Sequence, residues 1–490
     1  MLNFNLKKLI FSFKVWLCRL LNQGTAINYE IFFLIIVLFK FCVSNAYADK
    51  GYLGDFNEFL AKNIDRLAEY GIEGVESVNV CKVEKRHSKK WFDAECNDRP
   101  GGVFQARHKL KIKFYKDRDS IKFGQKPNFD TLFYYGWVVQ YDNSGFKRIG
   151  SKGSSEPYKF TSNLREDSEV KKEMQETGLL SYLLYEDGKI VINEKTPKDR
   201  FGFIFNDKTL WTSASMGKSM TSYVIGHAIC EGYIDSVDSR MNDWPLIEDS
   251  LFYDQKLMDL LNMAAGHQKY ADQTDLKTKG KWSKNPNRNT VKFHMKQGIF
   301  KNTKGKQGKS KYHYSNAISN ILINYAWYKS NGKFQNLLDK IFIDKAKVEN
   351  PVHFLVMHSG SVQGKYIVTE NDGPIRYSFK ASRYDYLRIA KAMVDDWQND
   401  TCVGKYLKTI YKNRIPKKEK YPNSDPEGNS KSYAGQFHTD YVGKENRAIM
   451  GMSGNGWQSI VIDFDQGKII VVNTIYSNYD WEKLVISKFN

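Results

Sequence analysis

The chain has 490 residues, of which 41% are hydrophobic, 14% aromatic and 26% charged, a mix that excludes a disordered or fibrous protein and allows about two large folded units. The formal charge of +19 raises the question of nucleic acid, but Lys and Arg are spread over the whole length and interleaved with acids, without a zinc-finger, RNP or helix-turn-helix signature, so nucleic acid is not an expected partner. A solvated Lys-rich surface accounts for the charge and leaves room for weak association with anionic lipid or cell-wall polymer.

In chain order, the first feature is the short apolar run Ile31 to Phe39, followed by Ala46-Tyr47-Ala48. A short apolar core ahead of A-x-A predicts a signal peptide over residues 1–48 and a periplasmic or secreted protein. The run is too short for a comfortable membrane span, which takes about 20 residues; an uncleaved N-terminal anchor is the alternative. Residues 49–175 read as an N-terminal, mainly β addition of unassigned role. Strands are expected at His108 to Phe114, where apolar and basic residues alternate, and at Leu132 to Val139. The polar stretch Ser151 to Lys172 reads as a linker or surface loop. In an oxidising compartment Cys81 and Cys96 could close a short loop. Cys230 follows an apolar run and is expected as a buried free thiol. No cysteine has metal-ligand spacing, and no metal or other cofactor is expected.

From residue 176 to 490 the pattern is that of one α+β domain. Two apolar runs joined across Asp187-Gly188 predict a hairpin, because both residues tolerate the positive φ of tight turns. Helical periodicity follows at 216–232, 255–264, 315–329 and 383–397. Strands return at Ser459 to Phe464 and Lys468 to Val472. A sheet built from both ends of the domain, with helices between, closes around one core.

The chemistry centres on Ser215-Met216-Gly217-Lys218. Residues three apart on a helix share a face, so the Lys nitrogen lies beside the hydroxyl and can assist its deprotonation. Backbone N–H groups at the helix start also favour a developing oxyanion. The S-x-x-K pattern alone is weak, for it recurs at Ser144, Ser168 and Ser330. Context selects Ser215, which follows Leu210-Trp211-Thr212 and opens an apolar helix, whereas the other three lie in turns or polar runs.

Around Ser215 the sequence resembles the serine β-lactamase, penicillin-binding protein and esterase superfamily, in its class C-like branch. The resemblance rests on Ser-Met-Gly-Lys-Ser ahead of an apolar helix ending Glu231-Gly232-Tyr233-Ile234, on Leu260 to His267, on Tyr314-Ser315-Asn316, and on Met452-Ser453-Gly454 running into Asn455-Gly456-Trp457-Gln458. It implies a β-lactamase/transpeptidase-like fold, an antiparallel sheet flanked by helices with a helical subdomain. It further implies a serine hydrolase in which Ser215 attacks a carbonyl, Lys218 and Tyr314 share proton transfer with the phenol pKa lowered by the Lys, and Asn316 positions the Lys or the substrate. Ser453, Gly454, Asn455 and Trp457 would line the substrate, with the N–H groups of Ser215 and Asn455 as the oxyanion hole. Met452 stands where β-lactam-recognising members place a cation, so the third motif is closer to 6-aminohexanoate-dimer hydrolases and related esterases. The expected substrate is a small ester or amide. A peptidoglycan D-amino-acid peptidase or carboxypeptidase, and an inactive relative that binds envelope ligands, are the alternatives.

Overall fold

A computed structural model describes residues 147–489 apart from 199, 201, 203–205, 268–289, 296–299, 301–302, 357–371, 418–425 and 476. The leader, Cys81, Cys96 and the strands expected near 108–114 and 132–139 lie outside the described residues.

Two sheets organise the domain. The smaller has four strands in the order β1 (Lys147–Ser151), β6 (Val352–Val356), β7 (Ile375–Ala381) and β5 (Trp211–Thr212). The larger has nine, in the order β2 (Thr161–Ser162), β4 (Lys189–Lys195), β3 (Leu179–Glu186), β13 (Lys468–Thr474), β12 (Gln458–Asp463), β11 (Ile449–Gly454), β10 (Phe437–Tyr441), β9 (Ser430–Ala434) and β8 (Ile415–Pro416). Among the described residues every pairing in these sheets is antiparallel except β2 with β4. The hairpin β3–β4 turns at Asp187 and Gly188 with φ of 48° and 76°, as the Asp-Gly pair predicts.

The helices are α1 (Ser168–Glu176), α2 (Gly217–Cys230), α3 (Leu257–Leu261), α4 (Val291–Met295), α5 (Asn316–Lys329), α6 (Phe334–Asp339), α7 (Arg383–Gln398), α8 (Cys402–Lys412), α9 (Pro426–Asn429) and α10 (Trp481–Leu484). The helix expected over 255–264 is shorter, because the chain leaves it through Met263 at φ 52°, a conformation that does not propagate a right-handed helix. The stretch expected as linker or loop contains β2 and the start of α1, and α1 begins where the Asp167 side chain accepts from the N–H groups of Glu169 and Val170. Val170 and Met174 of α1 are buried against the large sheet, and β1 pairs with β6 along its length. Residues 147–176 are therefore integral to both sheets.

The larger core lies between the large sheet and α2, α5, α7 and α8, and a smaller one covers the sheet's other face beneath α1 and the C-terminal α10. Cys230, expected as a free thiol, forms a disulfide with Cys402, with 5.8 Å between the Cα atoms. The fold brings the end of α2 beside the start of α8, and a sequence separation of 172 residues hides that contact. Among the described residues no helix is long and apolar enough to cross a membrane.

Candidate active site

The chain approaches Ser215 through β5 and a strained corner. Ser213 donates its N–H to the Phe379 carbonyl at 2.7 Å, and its hydroxyl accepts the Phe379 N–H at 2.8 Å. The corner is thereby bolted to β7. Ala214 then takes φ 46°, unusual for a residue with a side chain. A 3-10 turn over Ala214–Met216 leads directly into α2.

Two glycines permit this packing. A Cβ on Gly217 would lie 2.0 Å from the Tyr377 carbonyl, and one on Gly454 would lie 2.5 Å from the Ser213 carbonyl and 3.4 Å from the Ser215 nitrogen. The Gly of S-x-G-K thus lets α2 press against β7. The Gly ending the third motif lets β11 touch the Ser213 to Ser215 corner.

Lys218, 1% exposed, points its Nζ to Ser215 Oγ at 3.0 Å and to Asn316 Oδ1 at 2.7 Å. Tyr314 donates its hydroxyl to Ser215 Oγ at 2.7 Å. Tyr314 and Asn316 arrive together because Ser315 caps α5, its side chain accepting the Ile318 N–H. The phenol therefore stands just ahead of the helix and the amide on its first residue. Hydroxyl, amine, phenol and amide, drawn from two distant segments, form one continuous hydrogen-bonded set.

Tyr377 is a member that sequence reasoning missed. Its hydroxyl donates to Asn316 Oδ1 at 2.8 Å, and its ring centroid lies 3.7 Å from Lys218 Nζ, with the Tyr314 ring at 4.6 Å. The amine is held between two aromatic faces, an arrangement that attracts its charged form. A tyrosine at an apolar position of an alternating strand carries no signal of this role. A signal does exist on α5, where Asn316, Asn320 and Asn324 recur every four residues on one face. Asn320 accepts the Tyr377 N–H at 3.0 Å, and Asn324 both accepts from and donates to the Ile375 backbone at 2.9 and 2.7 Å. The ladder clamps β7 to α5 and fixes Tyr377 against Lys218.

One electrostatic expectation is corrected. The Tyr314 phenol pKa is raised well above its ordinary value, first by burial and then by Tyr377, Glu427 and Tyr433, with the Ser215 contact opposing in part. Withdrawal from water disfavours the phenolate more than the neighbouring hydroxyl favours it. The phenol rests protonated instead of being lowered by Lys218.

The third motif lies on β11 and the turn after it. Ser453 is buried and pairs with Ser459 on β12, while Asn455 is exposed in the turn. Trp457, half-buried at φ 64°, stacks edge-on against Tyr479 beside the smaller core, and its carbonyl accepts the Tyr479 hydroxyl at 2.8 Å. Met452 is buried in the larger core. Among the described residues no group of three His, Cys, Asp or Glu side chains could hold a metal ion.

No family model matches the chain, and no curated protein does. Among solved structures it is similar to a Bacillus anthracis protein provisionally assigned as a 6-aminohexanoate-dimer hydrolase, with 10% identity, a TM-score of 0.49 and coverage of 74% of this chain and 93% of that one. It is also similar to a penicillin binding protein from Bacillus halodurans, with 14% identity, a TM-score of 0.45 and coverage of 65% and 98%. A third is EstCE1, a hydrolase with promiscuous acyltransferase activity, with 10% identity, a TM-score of 0.44 and coverage of 63% and 92%. The reading of this chain's chemistry rests on its own geometry.

Proposed function

We propose that the protein is a serine hydrolase of the class C-like β-lactamase and esterase type, which opens a small ester or amide through an acyl-enzyme on Ser215. The observation that carries this reading is the convergence of Lys218 Nζ and Tyr314 OH on one hydroxyl oxygen, at 3.0 and 2.7 Å. Ser215 Oγ bonds to the substrate carbonyl carbon while its proton passes to Lys218 in its neutral form. The phenol of Tyr314, protonated at rest, gives its proton to the departing alcohol or amine and is restored from Lys218. Water then repeats the sequence on the acyl-enzyme, releasing the acid and the free serine. The N–H groups of Ser215 and Asn455 hold the oxyanion in this scheme, and the close approach of β11 to the nucleophile corner supports that placement.

Burial of Met452 speaks against a β-lactam carboxylate as the recognised group, and so for small esters and linear amides. Export belongs to the same proposal. The A-x-A leader supports it, and so does the Cys230–Cys402 disulfide, which suits an oxidising compartment.

The test uses the chain lacking residues 1–48, a fluorophosphonate probe and p-nitrophenyl esters. The expected result is covalent labelling and ester turnover, both abolished by Ser215→Ala. Labelling that survives the substitution would remove the proposal.

A further inference from the structure

Three adjacent strands of the large sheet carry a row of polar side chains that the proposed reaction does not use. Ser181 on β3 pairs with Asn473 on β13, and Gln458 on β12 pairs with Gly454 on β11. The pairing of Ser459 with Val472 sets Gln458 beside Asn473. Leu183, Val471, Ile460 and Met452, each two residues along its strand, belong to the larger core. Alternation therefore turns Ser181, Asn473, Gln458 and Gly454 toward that same side. This is the side on which the Ser213 to Ser215 corner meets Gly454.

Ser181 and Asn473 are 0% exposed and Gln458 1%. Ser181 Oγ, both amide atoms of Asn473 and both of Gln458 nevertheless have no hydrogen-bond partner in the protein. Arg383, at the start of α7, adds a sixth such atom, Nε, while its Nη2 donates to the carbonyl of Tyr182, the neighbour of Ser181. Leaving so many enclosed polar atoms dry would cost a large part of a domain's marginal stability.

The set combines donors, on Arg383, Asn473, Gln458 and Ser181, with acceptors on the latter three. An anion would meet the two amide oxygens and a metal ion would meet the guanidinium. Small neutral molecules that both donate and accept suit the donors and the acceptors alike, and buried polar groups of this kind are ordinarily bridged by ordered water. We propose that Ser181, Asn473, Gln458 and Arg383 line an internal water site at the back of the nucleophile corner. The site is a structural part of the sheet and stands apart from the chemistry assigned to Ser215.

A high-resolution crystal structure of the full chain, together with oxygen-17 water relaxation dispersion in solution, tests this. The expected result is density for water within hydrogen-bonding distance of at least two of the four side chains, and long-lived internal waters whose number falls in Asn473→Leu. If that variant does not fold, Ser181→Ala is the milder substitution and is expected to lower the number as well. Direct bonding between the Asn473 and Gln458 amides, density for an ion in place of water, or an unchanged water count in the folded variants would each overturn the proposal.

Discussion

Helices α2 and α8 are joined by a disulfide but obey opposite rules. In α8 the buried side chains of Val403, Tyr406, Leu407 and Ile410 fall on one stripe, and the remaining face is largely polar. In α2 every residue from Gly217 to Ala228 is buried. Its polar side chains must then find partners inside the protein: Ser219 donates to the Gln436 carbonyl, Ser222 meets the Tyr406 hydroxyl and Tyr223 donates to Asp396. Gln436 also accepts from Ser319 of α5, joining the helix of Lys218 to that of Asn316. On an amphipathic helix a polar residue needs no explanation beyond water. On an enclosed one each is either structural or part of a site.

The largest consequence falls on Lys218. Lys218→Met keeps the length of the side chain and removes the proposed base, and ester turnover is expected to fall by about a thousandfold or more. A loss smaller than tenfold would return Lys218 to a packing role. The pH profile separates it from Tyr314. Because the phenol's pKa is raised above its ordinary 10.0, no falling limb from loss of that proton is expected up to pH 10. A decline in ester turnover well below that value would contradict a protonated resting phenol.

Enclosure also sets the acid limit of the fold. His227 on α2 is lowered to about 4, first by burial, with Asp396 opposing and Lys345 assisting. His353 on β6 is lowered to about 3, first by burial and then by Arg148 and Lys380. Both bind protons less readily folded than unfolded, so between 6.5 and these values the unfolded chain holds more protons. Stability is complete above 6.5 and drains as pH falls through these values, by on the order of 3 kcal/mol for His227 and 5 kcal/mol for His353. Urea midpoints taken between pH 7 and 4 check the sign, and a midpoint that held constant or rose would refute it.

Tyr377 tests whether the aromatic enclosure of Lys218 matters to chemistry. Removing a ring face from the amine weakens its charged form, so Tyr377→Leu is expected to shift the rising limb of the pH–rate profile toward lower pH, with a loss of about tenfold at the plateau. Tyr377→Phe retains the ring and is expected to leave the limb in place. If both variants move the limb equally, the hydroxyl on Asn316 is the operative group and the ring is packing.

The same distinction governs what the sequence discloses. The Ser215 and Lys218 pair is legible because residues three apart share a helical face and, of the S-x-x-K serines, Ser215 opens an apolar helix, whereas Tyr314 and Asn316 enter the set only through the resemblance to a known superfamily. The Asp187-Gly188 hairpin and the closing strands are legible because their turns need positive φ. Tyr377 is not, since a tyrosine suits any buried strand and only the three-dimensional contact with Lys218 distinguishes it. The Cys230–Cys402 pairing escapes for a related reason, as no local pattern encodes an approach across 172 residues. The phenol's pKa escapes because enclosure is a property of the whole fold, whereas the neighbouring lysine is visible in the motif.

The finest test of the contrast compares one polar side chain from each kind of helix. Asn324→Leu leaves the Ile375 N–H and carbonyl without their side-chain partners inside the core, which is expected to cost about 1–3 kcal/mol. Lys405→Gln on the open face of α8 loses a contact at 4.0 Å to Asp400 between two well-exposed groups. A change within about 0.5 kcal/mol is expected there. Thermal unfolding of the two variants beside the parent chain gives the comparison directly. Equal shifts would mean that the asparagine ladder of α5 contributes no more than a surface ion pair, and that β7 is held against Lys218 by apolar packing alone.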